Sequence, residues 1–127
     1  DQGTRLTWQE IKAMKDSGME IASHSYHHER LSSKSTADME NEIAMSQKEL
    51  KDQLGITNEF FCYPYGREHP EVETAMKKAG IKMAFTMNPG WAKYGDDPFA
   101  INRIWIGNSV ELANFAERIS TEHYAQR

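Results

Sequence analysis

An α/β domain built on a mostly parallel sheet is the fold class that the sequence predicts, and three observations predict it. Stretches in which apolar residues recur at helical spacing alternate with short strand-like runs along the chain, and parallel strands need such helical crossovers. Most of the helical stretches carry their own start and stop residues. The length is 127 residues, which covers about four units of a barrel that uses about 31 residues for each. Four units cannot close a barrel, so the chain reads as a small open sheet or as part of a barrel.

The first helix is predicted over residues 7–17. Trp8, Ile11 and Met14 or Ala13 recur at helical spacing, Thr7 offers a capping hydroxyl with Glu10 three residues later, and Gly18 closes the end. Residues 19–24 alternate apolar and polar, which predicts a short strand ending at His24. A second helix follows over residues 36–54, with Met39, Ile43, Leu50 and Leu54 on one stripe, Ser35 as its cap and Gly55 as a left-handed exit. The aromatic run Phe60, Phe61, Cys62 and Tyr63 predicts a buried strand that stops at Pro64, Tyr65 and Gly66. Pro70 in a first turn, Val72, Ala75, Met76 and Ala79 on one face, and Gly80 after two lysines mark a third helix. Residues 82–87 have strand character, residues 101–106 alternate after a long loop, and residues 109–119 read as a final capped helix. The sequence contains no repeat, linker or low-complexity tract.

Composition excludes several classes of function. Fifteen basic and 19 acidic residues give a formal charge of -4 with no run of Lys and Arg, which argues against nucleic acid or an anionic membrane surface as partner. No apolar stretch approaches the roughly 20 residues of a membrane span. The single cysteine, Cys62, cannot form an internal disulfide. The seven methionines read as fillers of core gaps.

Chemistry concentrates in His24, Ser25, Tyr26, His27 and His28, which hold three of the five histidines directly after a predicted strand, where α/β folds place functional loops. Two neutral imidazoles four residues apart, His24 and His28, can converge on one zinc ion, with the serine or a backbone carbonyl holding a ring tautomer. A solvated polar loop has the same spacing. His27 reads as a supporting or solvent-facing residue. Cys62 to Gly66 ends the next strand, so its backbone N–H groups fall on the same rim and could polarise a carbonyl oxygen during acyl transfer; an ordinary Pro-Gly turn with packing tyrosines is the more common state of such a segment.

In order and separation, the two motifs resemble the NodB-like polysaccharide deacetylase family, whose members carry His-Ser/Thr-x-x-His followed by Arg-x-Pro-Tyr/Phe-Gly. Leu6 to Glu10, Met14 and Ser17 to Ile21 are similar to the helix and strand leading into the first motif, and residues 86–91 and 102–104 to later barrel elements. The resemblance implies a distorted (β/α)7 barrel, partial here. It implies a metal-dependent hydrolase, a carbohydrate esterase that removes N-acetyl groups from an N-acetylglucosamine-containing polysaccharide with one divalent metal, usually zinc. His24 and His28 would be its histidine ligands. The Tyr65 amide would join the oxyanion hole, Pro64 and Gly66 would shape that loop, and Trp91 would wall the acetyl pocket. Ser25, His27 and Arg103 would support the site from behind. An acetylated amino-sugar polymer as partner implies a location outside the cytoplasm or at the cell envelope.

Three family features are not found. No Thr-Phe-Asp-Asp-Gly segment, source of the catalytic base and third metal ligand, occurs here, and Asp96-Asp97 before Pro98 is not expected to replace it. Cys62 stands where the family has its arginine, with Arg103 as a candidate substitute, although a structural ion pair suits Arg103 better. No Leu-x-His segment supplies the general acid, and His69 and His123 read as surface residues. Residues 1–127 are therefore expected to be the C-terminal part of a deacetylase domain, with an open sheet edge and apolar flank that favour self-association. Two other readings stay open: a catalytically incomplete metal- or carbohydrate-binding fragment, and a small α/β interaction domain.

Overall fold

The structure, a computed structural model, describes residues 5–66 and 69–122. Helix α1 (Trp8–Asp16) starts at the expected capping box, with Thr7 and Glu10 each bonding the other's backbone. Helix α2 (Thr36–Leu54) has the predicted bounds, Ser35 accepting from the Asp38 amide at one end and Gly55 at φ 69° at the other. Strand β1 (Phe60–Cys62), helix α3 (Pro70–Lys78), strand β2 (Met83–Pro89), strand β3 (Ile101–Arg103) and helix α4 (Leu112–Ser120) follow.

The three strands are parallel and lie in the order β1-β2-β3, with Cys62 beside Phe85 and Phe85 beside Ile101. A parallel bridge from Ser23 to Phe61 adds the chain entering the histidine loop on the far side of β1. Each strand thus joins the same side of its predecessor, the progression of a (β/α) barrel, whereas a doubly wound sheet reverses direction. Helices α2 and α3 pack against each other. The core of Met39, Ile43, Phe61, Val72, Met76 and Ala84 lies between them and one face of the sheet.

The structure differs from the sequence reading at several element ends. The strand expected over residues 19–24 is the single bridge at Ser23, which receives one bond from Cys62 and gives one to Phe60. The strand expected to reach residue 106 stops at Arg103, whose carbonyl takes a last bond from the Gly90 amide just past the end of β2 at Pro89. The last helix starts at Leu112, after a turn closed by the bond from the Val110 amide to the Gly107 carbonyl. A 3-10 turn at Leu31–Ser33, unmarked in the sequence, buries Leu31. Of the methionines, Met39 and Met76 fill the core as expected, while Met19 and Met87 are exposed. Cys62, expected to be buried, is half-buried on the sheet face away from α2 and α3. No helix among the described residues is long and apolar enough to cross a membrane.

Candidate metal centre

Parallel strands deliver their C-terminal ends to one rim, and the loops after Ser23 and β1 meet there. The His24 ring sits 4.7 Å from the His28 ring, centroid to centroid. Its Nδ1 lies 2.7 Å from the Cys62 carbonyl oxygen, so the proton belongs on Nδ1 and Nε2 is left with a lone pair. A backbone carbonyl therefore holds the tautomer, whereas Ser25 closes the loop, its hydroxyl accepting the His28 amide at 3.0 Å. Partial desolvation pulls the His24 ring below the usual imidazole range; the charges of His28 and Arg103 act the same way, against the Cys62 hydrogen bond. A neutral imidazole with a fixed free nitrogen is what metal ligation requires. The donor set therefore fits zinc in kind, supplying two of the three protein ligands that a catalytic zinc normally has.

The backbone here adopts sterically costly conformations. Ser25, His28 and Tyr65 are the non-glycine residues with positive φ among those described, at 64°, 58° and 61°. Strain of this kind clusters at functional sites. The Tyr65 ring stands 5.1 Å from that of His28, with the Arg30 guanidinium 5.7 Å over its centroid. Pro64 is buried beneath the turn. Gly66 has φ 65°, and a Cβ there would overlap the Met87 side chain and amide nitrogen, so glycine is required on both counts.

His27 does not face solvent alone, for its Nδ1 lies 2.6 Å from Glu42 Oε1. Glu42 Oε2 accepts the amides of His27 at 2.9 Å and Tyr26 at 3.2 Å. Burial raises the Glu42 carboxyl, but these hydrogen bonds outweigh it and hold the group below the usual carboxylate range. Sequence reasoning missed Glu42. Its signal was available, since Glu42 and Ser46 lie on the Met39-Ile43-Leu50 stripe of α2, where a polar side chain needs a buried partner.

Arg103 makes no ion pair among the described residues, contrary to the structural pair expected from the sequence; its Nε donates to the Thr86 carbonyl at 2.6 Å. Its charge is felt at both His24 and Cys62. Trp91 lines a hollow with Gly90, Asn102, Arg103, Ile104 and Ile119, and its indole donates to the Arg118 carbonyl at 2.9 Å. Asp96 and Asp97 cap their own loop, accepting the amides of Lys93 and Phe99. His69 is exposed at the start of α3, and His123 lies outside the described residues. No carboxylate joins His24 and His28 in a group of metal-ligating atoms among the described residues; the group that does form is His27, Glu29 and Glu42, with ligand atoms within 4.8 Å of one another.

Comparison with known proteins gives this arrangement a family. The family model described as polysaccharide deacetylase matches residues 2–84. A candidate polysaccharide deacetylase of Bacillus subtilis strain 168, YxkH, is 27% identical over 116 residues, 91% of this chain and 42% of its own length. The Streptococcus pyogenes deacetylase PplD, solved with acetate, superposes with a TM-score of 0.84 at 26% identity over 92% of this chain and 52% of its own. The Bacillus cereus polysaccharide deacetylase BC0361 does so with a TM-score of 0.79 at 28% identity, over 94% of this chain and 38% of its own. The chain thus spans about half the length of these relatives or less. With the family model covering well over half of the sequence and the strand progression matching part of the deacetylase barrel, the chain belongs to the polysaccharide deacetylase family.

Proposed function

We propose that residues 1–127 are the later part of a metal-dependent deacetylase domain that hydrolyses N-acetyl groups from an N-acetylglucosamine-containing polysaccharide outside the cytoplasm or at the cell envelope. The observation that carries this reading is the His24 ring, fixed by the Cys62 carbonyl with its Nε2 directed away from that bond and the His28 ring beside it. His24 Nε2 and His28 are the groups that hold the divalent ion, zinc by the chemistry of two imidazoles. Lewis acidity toward the acetyl carbonyl and acidification of water come from the ion when bound. The chain's own part is to orient. The Cys62 carbonyl fixes one ligand, the Ser25 hydroxyl fixes the backbone of the other, and the Tyr65 amide, set by its left-handed turn over Pro64 and Gly66, stands as donor to the oxyanion that develops on the acetyl group. Arg103 supports the site from behind, its charge disfavouring protonation of the His24 ring. Trp91, in one hollow with Arg103 and held by the Arg118 carbonyl, serves as a wall of the acetyl pocket.

The test is a zinc titration at neutral pH of the chain and of its His24→Ala, His28→Ala double variant, with amine release from an acetylated chitooligosaccharide followed in parallel. Tight uptake lost in the double variant is the expected result, and uptake that ignores the substitution overturns the metal reading. Among the described residues no carboxylate accompanies the two histidines, which favours a second reading, a metal- or carbohydrate-binding fragment without turnover. Amine release by this chain alone removes that second reading.

A further inference from the structure

The histidine loop passes through two left-handed residues, Ser25 and His28, a backbone that residues with a Cβ adopt only at a steric cost. Such a backbone persists only where its surroundings over-determine it. The Ser25 hydroxyl supplies one constraint. The others converge on one group from a different element: the Glu42 side chain, 6% exposed, accepts the His27 ring through one oxygen and the Tyr26 and His27 amides through the other. No Lys or Arg lies within ion-pair distance of it among the described residues. A buried carboxylate is costly unless its lone pairs are used, and this one directs them to the loop.

The nearness of His27, Glu29 and Glu42 suggests a metal site, but the hydrogen bonds already account for it. His27 Nδ1 and Glu42 are bonded to each other, and Glu29 is paired with Lys34. An ion there would have to break both. We propose instead that Glu42 is a positioning residue: from helix α2 it locks the backbone of residues 26–27 between the two histidines, so that His24 and His28 present their rings to a single point. This rests on the reading of His24 and His28 as the metal ligands, and it makes α2 part of the site.

Two variants of the chain test it, Glu42→Ala and the isosteric Glu42→Gln, each checked for helix content and a cooperative melt. In the zinc-free protein, NMR hydrogen exchange at the Tyr26 and His27 amides should quicken about tenfold in Glu42→Ala, the equivalent of one hydrogen bond, while amides of α2 and β1 keep their rates. In Glu42→Gln the carboxamide cannot accept from every donor, so the His27 Nδ1 hydrogen bond should weaken, seen as a shifted ring-nitrogen resonance. Zinc affinity should fall about ten- to a hundredfold in Glu42→Ala, the range for groups that orient ligands, with Glu42→Gln between it and the parent. If Glu42→Ala does not fold, Glu42→Gln decides by its ring signature and zinc affinity. Unchanged exchange and ring signals in a folded variant overturn the proposal, as does altered exchange with zinc affinity at the parent's value, which would reduce Glu42 to a structural bond. Where the parent's zinc uptake does not need His24 and His28, the metal reading falls by itself, and amide exchange still decides whether Glu42 holds the loop.

Discussion

Gly66 has no room for a methyl group: its φ of 65° disfavours any side chain, and Met87 occupies the place where a Cβ would go. Gly55 is the natural control, because it has a similar φ of 69° with nothing within 4 Å of its would-be Cβ. Gly55→Ala should cost only the backbone share, about 1–2 kcal/mol, and Gly66→Ala more, read from urea midpoints; equal losses would show that the Met87 approach is unimportant. Cys62 offers a second test. Desolvation raises its thiol above the usual range, only partly offset by the Arg103 charge. A raised value means less thiolate at neutral pH, so alkylation by iodoacetamide should lag behind that of free cysteine and catch up only at higher pH. Alkylation at the free-cysteine rate near neutrality would contradict that environment. The sequence named His24, His28 and Tyr65 as residues of interest, since their types and spacing are local. It could not show that His24 bonds to Cys62, 38 residues away, or that Glu42 reaches the loop, because the first depends on the pairing of Ser23 with β1 and the second on the packing of α2 against the sheet.

Helix ends were the most legible elements. Ser35 and Gly55 are chemical signals that act within one turn, so α2 could be bounded to the residue, and the capping box of α1 was equally plain. Ser35→Ala should lower stability by about 1 kcal/mol, seen as a lower melting temperature, because α2 carries Met39, Ile43 and Leu50 into the interior. Thr7→Ala removes a similar cap from α1, which buries no residue of its own. It should fray that helix with little change in the main unfolding transition; a comparable loss of melting temperature would show that α1 is more firmly docked than its burial implies. Strands were less legible. Residues 101–106 keep their alternation past Arg103, yet a strand exists only where a neighbour supplies bonds, and β2 has run out by then. The segment before His24 failed for the same reason, with one bridge in place of a ladder.

At the scale of the molecule, a sheet that always adds strands to one side leaves β3 as an edge and α4 with Leu112 and Ile119 exposed. Edges and apolar faces seek partners, so we propose that copies of the chain associate through this flank; sedimentation velocity should show concentration-dependent growth that a Leu112→Glu, Ile119→Lys variant abolishes, and a monomer at all concentrations would refute it. Arg118 fastens α4 in place, donating to the Trp105 carbonyl at 2.6 Å and to Asn114. Between β2 and β3 the chain makes its crossover without a helix, through a loop held at its far end by the Tyr63 hydroxyl on the Phe99 carbonyl and the Ala84 amide on the Pro98 carbonyl. The middle of that loop carries the fully exposed Tyr94, well away from both anchors. A protease therefore has a cleavage point that costs the fold almost nothing: brief chymotrypsin treatment should nick the chain after Tyr94, and the two pieces should stay together through the β2–β3 pairing, separating only in denaturant.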